Sequence, residues 1–262
     1  MVSLAGKIAL VTGGSRNVGR GIALGLGEAG ATVYITGRTI TQKVAREVSA
    51  LGGQGIAVRC DHQHDDEVRA LFEQIKQREG RLDILVNNAW GGYERLRRPK
   101  AYPGYQWKAP FWQQPTDVWD EMFTIGVRSN YIASVCAATL MIEQRAGLIV
   151  SISFYAGRRY QGNVPYGVSK AAVDRLAQDM AEELKPYQVA SVSLYPGHVV
   201  NHKKSPNSKR ESSQFVGRAV AALAADPEIV EKSGQILIAA ELAREYGFTD
   251  IDGTQPDPHD AL

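Results

Sequence analysis

The chain has 262 residues, 44% of them hydrophobic and 22% charged, with a formal charge of +2. That size and mix suit one α/β domain or two small ones around an ordinary globular core. The small charge excludes an extended nucleic-acid surface, because the one basic run, 203–210, carries no aromatics and reads as a solvated loop. In chain order, "KIALVTGG" (7–14) is a β-rich run ending in glycines, and "GRGIALGLGEAG" (19–30) has helical spacing with a glycine stop. Strands at 32–38, 56–61 and 82–89 alternate with helices at 41–53 and 65–80, the latter acidic in its first turn. A long helical stretch, 117–144, precedes a strand at 147–153, a helix at 166–184 and a strand at 189–197. A helix at 213–226 leads to an edge strand and short helix within 234–248. Apolar strands alternating with helices of 10–15 residues predict a parallel sheet covered on both faces, in one doubly wound Rossmann-type domain over 1–252.

Two regions break the alternation. Residues 91–115 carry Trp107, Trp112, four tyrosine or phenylalanine rings and three prolines before Pro115. A loop this long is functional or disordered, and its rings favour folding over something, so it is expected to form a wall of a substrate pocket. Residues 198–212 are polar and begin just past a strand's carboxyl end, where ligands bind in open α/β sheets. They are read as a lid, with a plain surface loop as the alternative. The tail 253–262 is polar, bears prolines and is expected to be disordered. Cys60 and Cys136 lie far apart in apolar runs, which suits free thiols in a cytoplasmic protein. No apolar run approaches the ~20 residues of a membrane span, and no secretory leader is expected from 1–6.

"TGGSRNVGRG" (12–21) puts Gly13, Gly19 and Gly21 between the first strand and first helix, where backbone can approach a pyrophosphate at a helix N-terminus. The spacing is not that of the usual dinucleotide fingerprint, nor that of a nucleoside-triphosphate loop. Asn17 stands where a glycine is common. Asparagine is the best substitute if that position needs positive φ. The second strand ends "TGR" with no acid to bond the ribose hydroxyls, and Arg38 and Arg16 suit a 2′-phosphate. NADP(H) is therefore favoured over NAD(H). Further along, "VPYGVSK" places Tyr166 and Lys170 four apart on one helix face. A nearby ammonium lowers a phenol pKa toward the range useful for acid–base work. Ser153, thirteen residues upstream of Tyr166, could hydrogen-bond a carbonyl or alcohol oxygen.

"TGGSRNVGRG", "NNA", "YGVSK" and "YPG", in this order and spacing, resemble the short-chain dehydrogenase/reductase family over nearly the whole chain. "ATVYITGR", "RLDILVNNA" and the ending "ELAREYGFTDIDG" resemble one subgroup of that family. The resemblance implies that Thr12, Gly13, Ser15, Arg16, Asn17, Val18 and Gly19 form the pyrophosphate turn. It implies that Asp61 and His62 border the adenine, and that Asn88 and Ala89 support the sheet and the adenosine ribose side. Tyr166 would be the acid/base, Lys170 would hold the nicotinamide ribose, Ser153 would position the substrate oxygen, and Pro196, Gly197 and Val199 would lie beside the nicotinamide. No metal is implied, and the protein is expected to be a homodimer or homotetramer through the helices at 117–144 and 168–184.

The sequence also departs from the family. Gly126 stands where an asparagine commonly maintains a proton-relay water, with Asn130 one turn later, and Asn201 replaces a threonine that often bonds the cofactor. Counting toward "AG" in the family register gives the serine's slot to Phe154, whereas distance to Tyr166 selects Ser153, the preferred reading. Successive strand residues face opposite ways, so only one can face the site. The expected function is NADPH-dependent hydride transfer to a bulky or apolar carbonyl compound, or from the alcohol. The alternatives are a weak or inactive dinucleotide-binding regulatory or scaffold protein and, with least support, a lyase or dehalogenase on the same fold. Lys203, Lys204, Lys209 and Arg210 could instead admit an anionic substrate.

Overall fold

A computed structural model describes residues 2–39, 42–200 and 210–258. From the N-terminus run β1 (Ile8–Val11), α1 (Asn17–Glu28), β2 (Thr32–Gly37), α2 (Gln42–Ala50), β3 (Gln54–Arg59), α3 (Asp65–Glu79) and β4 (Ile84–Asn87). The middle holds α4 (Glu94–Arg97), α5 (Asp117–Phe123), α6 (Ser129–Gln144), β5 (Gly147–Ile152), α7 (Val164–Leu184) and β6 (Val189–Tyr195). Then come β7 (Val199–Val200), β8 (Glu211–Ser212), α8 (Ser213–Ala225), β9 (Ile236–Ile238) and α9 (Ala239–Tyr246).

Seven strands form one parallel sheet in the order β3-β2-β1-β4-β5-β6-β9. Strand alternation sends Ala9, Val11, Val33, Ile35 and Val86 into a core with α1 and α8, and Leu10, Tyr34, Leu85 and Ile149 into a second core with α3 and α6. Burial on both faces is why β1, β4 and β6 are nearly continuous apolar runs. β1 pairs with β2 on one side and β4 on the other, so the chain reverses direction across the sheet there. The crevice for a ligand opens above that switch point.

Helix ends follow local chemistry. α3 carries Asp65, Asp66 and Glu67 in its first turn, and stops at Gly80 with φ 69°. α1 lies so close to α8 that a Cβ on Gly21 would sit 2.0 Å from the Ser213 carbonyl carbon. Gly21, counted with the phosphate turn in the sequence, is thus needed for helix packing. Arg218 on α8 donates to Glu28 on α1 at 2.6 Å and fastens the same pair.

The stretch expected as one helix over 117–144 is instead α5, a π-helical turn at Thr124–Arg128, and α6. Such a turn needs a local cause, and here the Trp90 indole presses against Gly126. Among the described residues this 28-residue stretch is the one helix long and apolar enough, by length and composition, to cross a bilayer. Its Ala133, Ala137, Leu140 and Met141 are buried in the sheet core, as in a core helix. Of the tail expected to be disordered, 259–262 lie outside the described residues; within 253–258, Gln255 donates to the carbonyls of Ala243 and Phe248. Of the expected lid, 201–209 lie outside the described residues, with Asn201, Lys203, Lys204 and Lys209. Its flanks pair as β7 and β8. Cys60 is buried, Cys136 is half-buried, and both thiols are free.

Candidate active site

A cleft of about 730 Å³ lies over the switch point, and every site residue expected from the sequence lines it except Thr12. Thr12 is buried and builds the turn from beneath: its Oγ1 accepts the Asn88 and Ala89 amides at 2.9 and 3.0 Å. Asn88 returns the contact, donating from Nδ2 to the carbonyls of Thr12 (2.9 Å) and Gly13 (3.1 Å). Asn17 has φ 50°, the left-handed conformation that asparagine tolerates. A Cβ on Gly19 would lie 2.3 Å from Asn88 Nδ2 and 2.5 Å from the Gly13 carbonyl. Only glycine lets the first turn of α1 pack this tightly against the Gly13–Gly14 backbone and Asn88.

At one end of the cleft, Arg16 and Arg38 converge on a single anionic oxygen. Glu94 Oε2 on α4 lies 3.7 Å from the Arg16 guanidinium and 3.6 Å from that of Arg38. Arg97, three residues after Glu94 on α4, lies close enough that burial and then the Arg16 charge push its pKa down. The sequence reading identified Arg16 and Arg38 but missed Glu94 and Arg97. The pattern "YERLRR" held the signal, a short helix whose acid and arginines share one end. His62 is buried with Nε2 at 2.8 Å from Thr36 Oγ1, and burial lowers its pKa to about 4, so it is neutral. Its Nδ1 has no partner among the described residues. Asp61 stands beside it, with one carboxylate oxygen accepting the Gln63 amide.

At the other end, "NVPY" sets Tyr166. Asn163 is the N-cap of α7, and its side chain accepts the Tyr166 amide at 3.0 Å. Asn163 Nδ2 also donates to the Trp107 carbonyl at 3.0 Å, tying the aromatic insertion to the start of α7. Tyr93, Glu94, Arg97, Tyr102 and Trp107 of the 91–115 insertion line the cleft. Trp90 packs on Tyr166 at 5.7 Å and Trp107 at 5.2 Å between ring centroids, both edge-to-face. Tyr93 Oη donates to Tyr166 Oη at 3.0 Å, a contact with no sequence signal beyond the insertion's aromatic content.

Lys170 is buried one turn below Tyr166. Its Nζ donates to the Ile152 carbonyl at 3.1 Å and lies 4.3 Å from the Trp90 ring centroid. Burial pulls its pKa down to about 8, with Asp174 opposing. The expected lowering of the Tyr166 pKa is not seen in this geometry: burial, then Tyr93, drives that phenol far above its ordinary value. The reason is that the ammonium is directed at a carbonyl and an indole face rather than at the phenol oxygen.

The departures at Gly126 and Ser153 have distinct physical causes. A Cβ on Gly126 would lie 2.2 and 2.4 Å from Trp90 ring carbons, so the indole occupies the space a side chain would take there. Asn130 is buried at the cleft, and its Oδ1 has no partner among the described residues. Ser153 is buried at the cleft wall. Its Oγ donates to the Lys170 carbonyl at 3.3 Å, within the buried group that includes Asp174 and Tyr195. Phe154 instead packs with the Tyr166 cluster. Both residues line the cleft, Ser153 with its hydroxyl bonded to the Lys170 carbonyl and Phe154 with its ring against the Tyr166 cluster. On the far wall, Pro196, Gly197 and Val199 follow β6, and the Gly197 amide donates to Glu211 at 2.8 Å.

Residues 7–212 match the family model described as short chain dehydrogenase. The chain belongs to the short-chain dehydrogenase family. It is an oxidoreductase of that family. It is 44% identical to Dehydrogenase/reductase SDR family member 1 of Homo sapiens, over 95% of this chain and 84% of that protein. The subgroup resemblance carried by "ATVYITGR" and "ELAREYGFTDIDG" is to that protein. Among solved structures, a 7α-hydroxysteroid dehydrogenase complexed with NADH and 7-oxo glycochenodeoxycholic acid superposes with a TM-score of 0.76 at 26% identity, covering 97% of this chain and 96% of that one. A metagenomic short-chain oxidoreductase in complex with NADP gives 0.72 at 28% identity, covering 90% and 97%. A nicotinamide dinucleotide is the family's cofactor, and the cleft fits one: a cradle at Gly19 that a Cβ would fill and a left-handed Asn17 form a tight turn at the start of α1, the kind of helix N-terminus that suits a pyrophosphate.

Proposed function

We propose that the protein is an NADPH-dependent reductase of an apolar carbonyl compound, with Tyr166 as the proton donor. The observation that carries this reading is one continuous cleft, with a phosphate turn and converging arginines at one end and a buried Tyr166–Lys170 pair at the other. When bound, the nicotinamide supplies the hydride, and the protein supplies placement and a proton. The turn from Gly13 to Gly19 would hold the pyrophosphate. Arg16, Arg38 and Arg97 would take the 2′-phosphate in place of Glu94, which favours NADP(H) over NAD(H).

Tyr166 enters the reaction as the neutral phenol, because burial disfavours the phenolate. That is the form required to protonate a carbonyl oxygen during reduction. Lys170, fixed by Ile152 and Trp90, places positive charge under the ring as the proton leaves. The aromatic wall excludes water and favours a bulky apolar substrate. Self-association to a homodimer or homotetramer is part of the same proposal, supported by exposed Trp119, Tyr131, Val135 and Val168 on α5, α6 and α7. The two free thiols suit a reducing, cytoplasmic setting. The Ser153 hydroxyl bonded to the Lys170 carbonyl and the Gly126 departure favour the alternative, a weak or inactive dinucleotide-binding protein.

The cofactor assignment is tested by Arg38→Asp, with affinities for NADPH and NADH measured by fluorescence titration. The Arg38 side chain is about half exposed, so solvent reduces what its contact is worth. The expected result is a shift of the NADPH-to-NADH affinity ratio by about tenfold toward NADH. An unchanged ratio contradicts the assignment.

A further inference from the structure

We propose that Tyr93, not Ser153, supplies the second hydroxyl that holds the substrate's carbonyl oxygen beside Tyr166. This rests on the reading of the cleft as a carbonyl reductase site. As hydride reaches the carbonyl carbon, negative charge grows on the oxygen, and a preorganised donor aimed there is worth ~10²–10³ in rate. Ser153 is not that donor, since its hydroxyl is spent on the Lys170 carbonyl and it is almost fully buried. Phe154, which lines the cleft beside it, has no donor at all.

Tyr93 meets the requirement. Its Oη is the one hydrogen-bond partner of Tyr166 Oη among the described residues, at 3.0 Å. Two hydroxyls so spaced can both reach one acceptor at about 2.7–2.8 Å, with the substrate oxygen at the third corner of a nearly equilateral triangle. The Tyr93 ring is held in place by Trp90 at 6.0 Å, Trp107 at 5.5 Å and Tyr166 at 6.0 Å between centroids. Asn163 adds a shared anchor, because it caps the helix bearing Tyr166 and bonds the insertion at Trp107. Without substrate the two phenols satisfy each other, and an entering carbonyl oxygen replaces that contact by accepting from both.

The balance is simple. The carbonyl carbon gains the hydride from NADPH, and the oxygen gains the Tyr166 proton, which solvent later returns. Tyr93 keeps its proton throughout, and its hydrogen bond shortens as charge accumulates. Tyr93 therefore touches the reacting oxygen but neither gains nor loses an atom.

The test compares Tyr93→Phe, Ser153→Ala and Tyr166→Phe with the parent enzyme, using the diketone benzil and NADPH. Tyr93→Phe removes one hydroxyl and leaves the packed ring, so folding is retained. The expected result is a kcat lower by about 10²-fold in Tyr93→Phe, NADPH affinity and melting temperature unchanged, and a smaller loss in Ser153→Ala. The proposal is overturned if Tyr93→Phe keeps kcat within about threefold of the parent, if Ser153→Ala loses as much, or if the Tyr93→Phe loss comes with weakened NADPH binding. Turnover retained in Tyr166→Phe, or absent from the parent, would instead overturn the reductase reading beneath it.

Discussion

Replacing Tyr166 by phenylalanine is expected to lower kcat for carbonyl reduction by ~10²–10⁴-fold, the usual worth of a positioned general acid. NADPH affinity should stay within about twofold. The ring position is set by the Asn163 cap and by edge-to-face contacts with Trp90 and Trp107, all of which phenylalanine keeps. The deleted hydroxyl bonds only Tyr93 among the described residues. It is remote from the glycine turn and the arginines that would hold the adenosine end. Steady-state kinetics with NADPH fluorescence titration separates the two effects. A variant with parental kcat removes Tyr166 from the chemistry.

Gly126→Asn is expected to destabilise the fold by about 1–3 kcal/mol through overpacking. An added Cβ would lie 2.2 Å from a ring carbon of Trp90, and an indole is too rigid to yield cheaply. Moving that ring would also disturb Lys170, whose ammonium rests 4.3 Å from its centroid. Activity should fall with stability. The pair can be tested as a cycle: in a Trp90→Gly background the space is open, and adding Asn at 126 should cost less than it does alone, with a coupling of about 0.5–3 kcal/mol. Denaturant unfolding of the four proteins measures this. Additive costs would show that Trp90 and Gly126 are not sterically linked.

These two positions mark where the sequence was informative and where it was not. The sheet was legible because strands buried on both faces must be apolar throughout, and the helices between them keep one apolar stripe. Asn17 was legible because few residues other than glycine accept its φ of 50°. Tyr166 and Lys170 were legible because they are neighbours on one helix. Trp90 and Gly126 were not, since 36 positions separate them in "NNAW" and "TIGVR" and only the folded chain puts the indole in the glycine's space. The bond made by the Ser153 hydroxyl was hidden for a similar reason, since its partner is a carbonyl of α7 seventeen residues away. The insertion read as a pocket wall from its rings, but its two most specific contacts, Tyr93 to Tyr166 and Glu94 to the arginine pair, required knowing where α4 lies.

The central claim is that this cleft moves hydride from NADPH to a carbonyl carbon with Tyr166 supplying the proton. The most direct measurement uses NADPH deuterated at nicotinamide C4, on the face that transfers, with benzil as acceptor and mass analysis of the product. The account predicts deuterium on the new carbinol carbon with the parent enzyme, and only a trace of product with Tyr166→Phe in the same time. NADPH that binds in the cleft but yields no deuterated alcohol would contradict it, and would leave the chain a dinucleotide-binding protein that uses this site for something other than reduction.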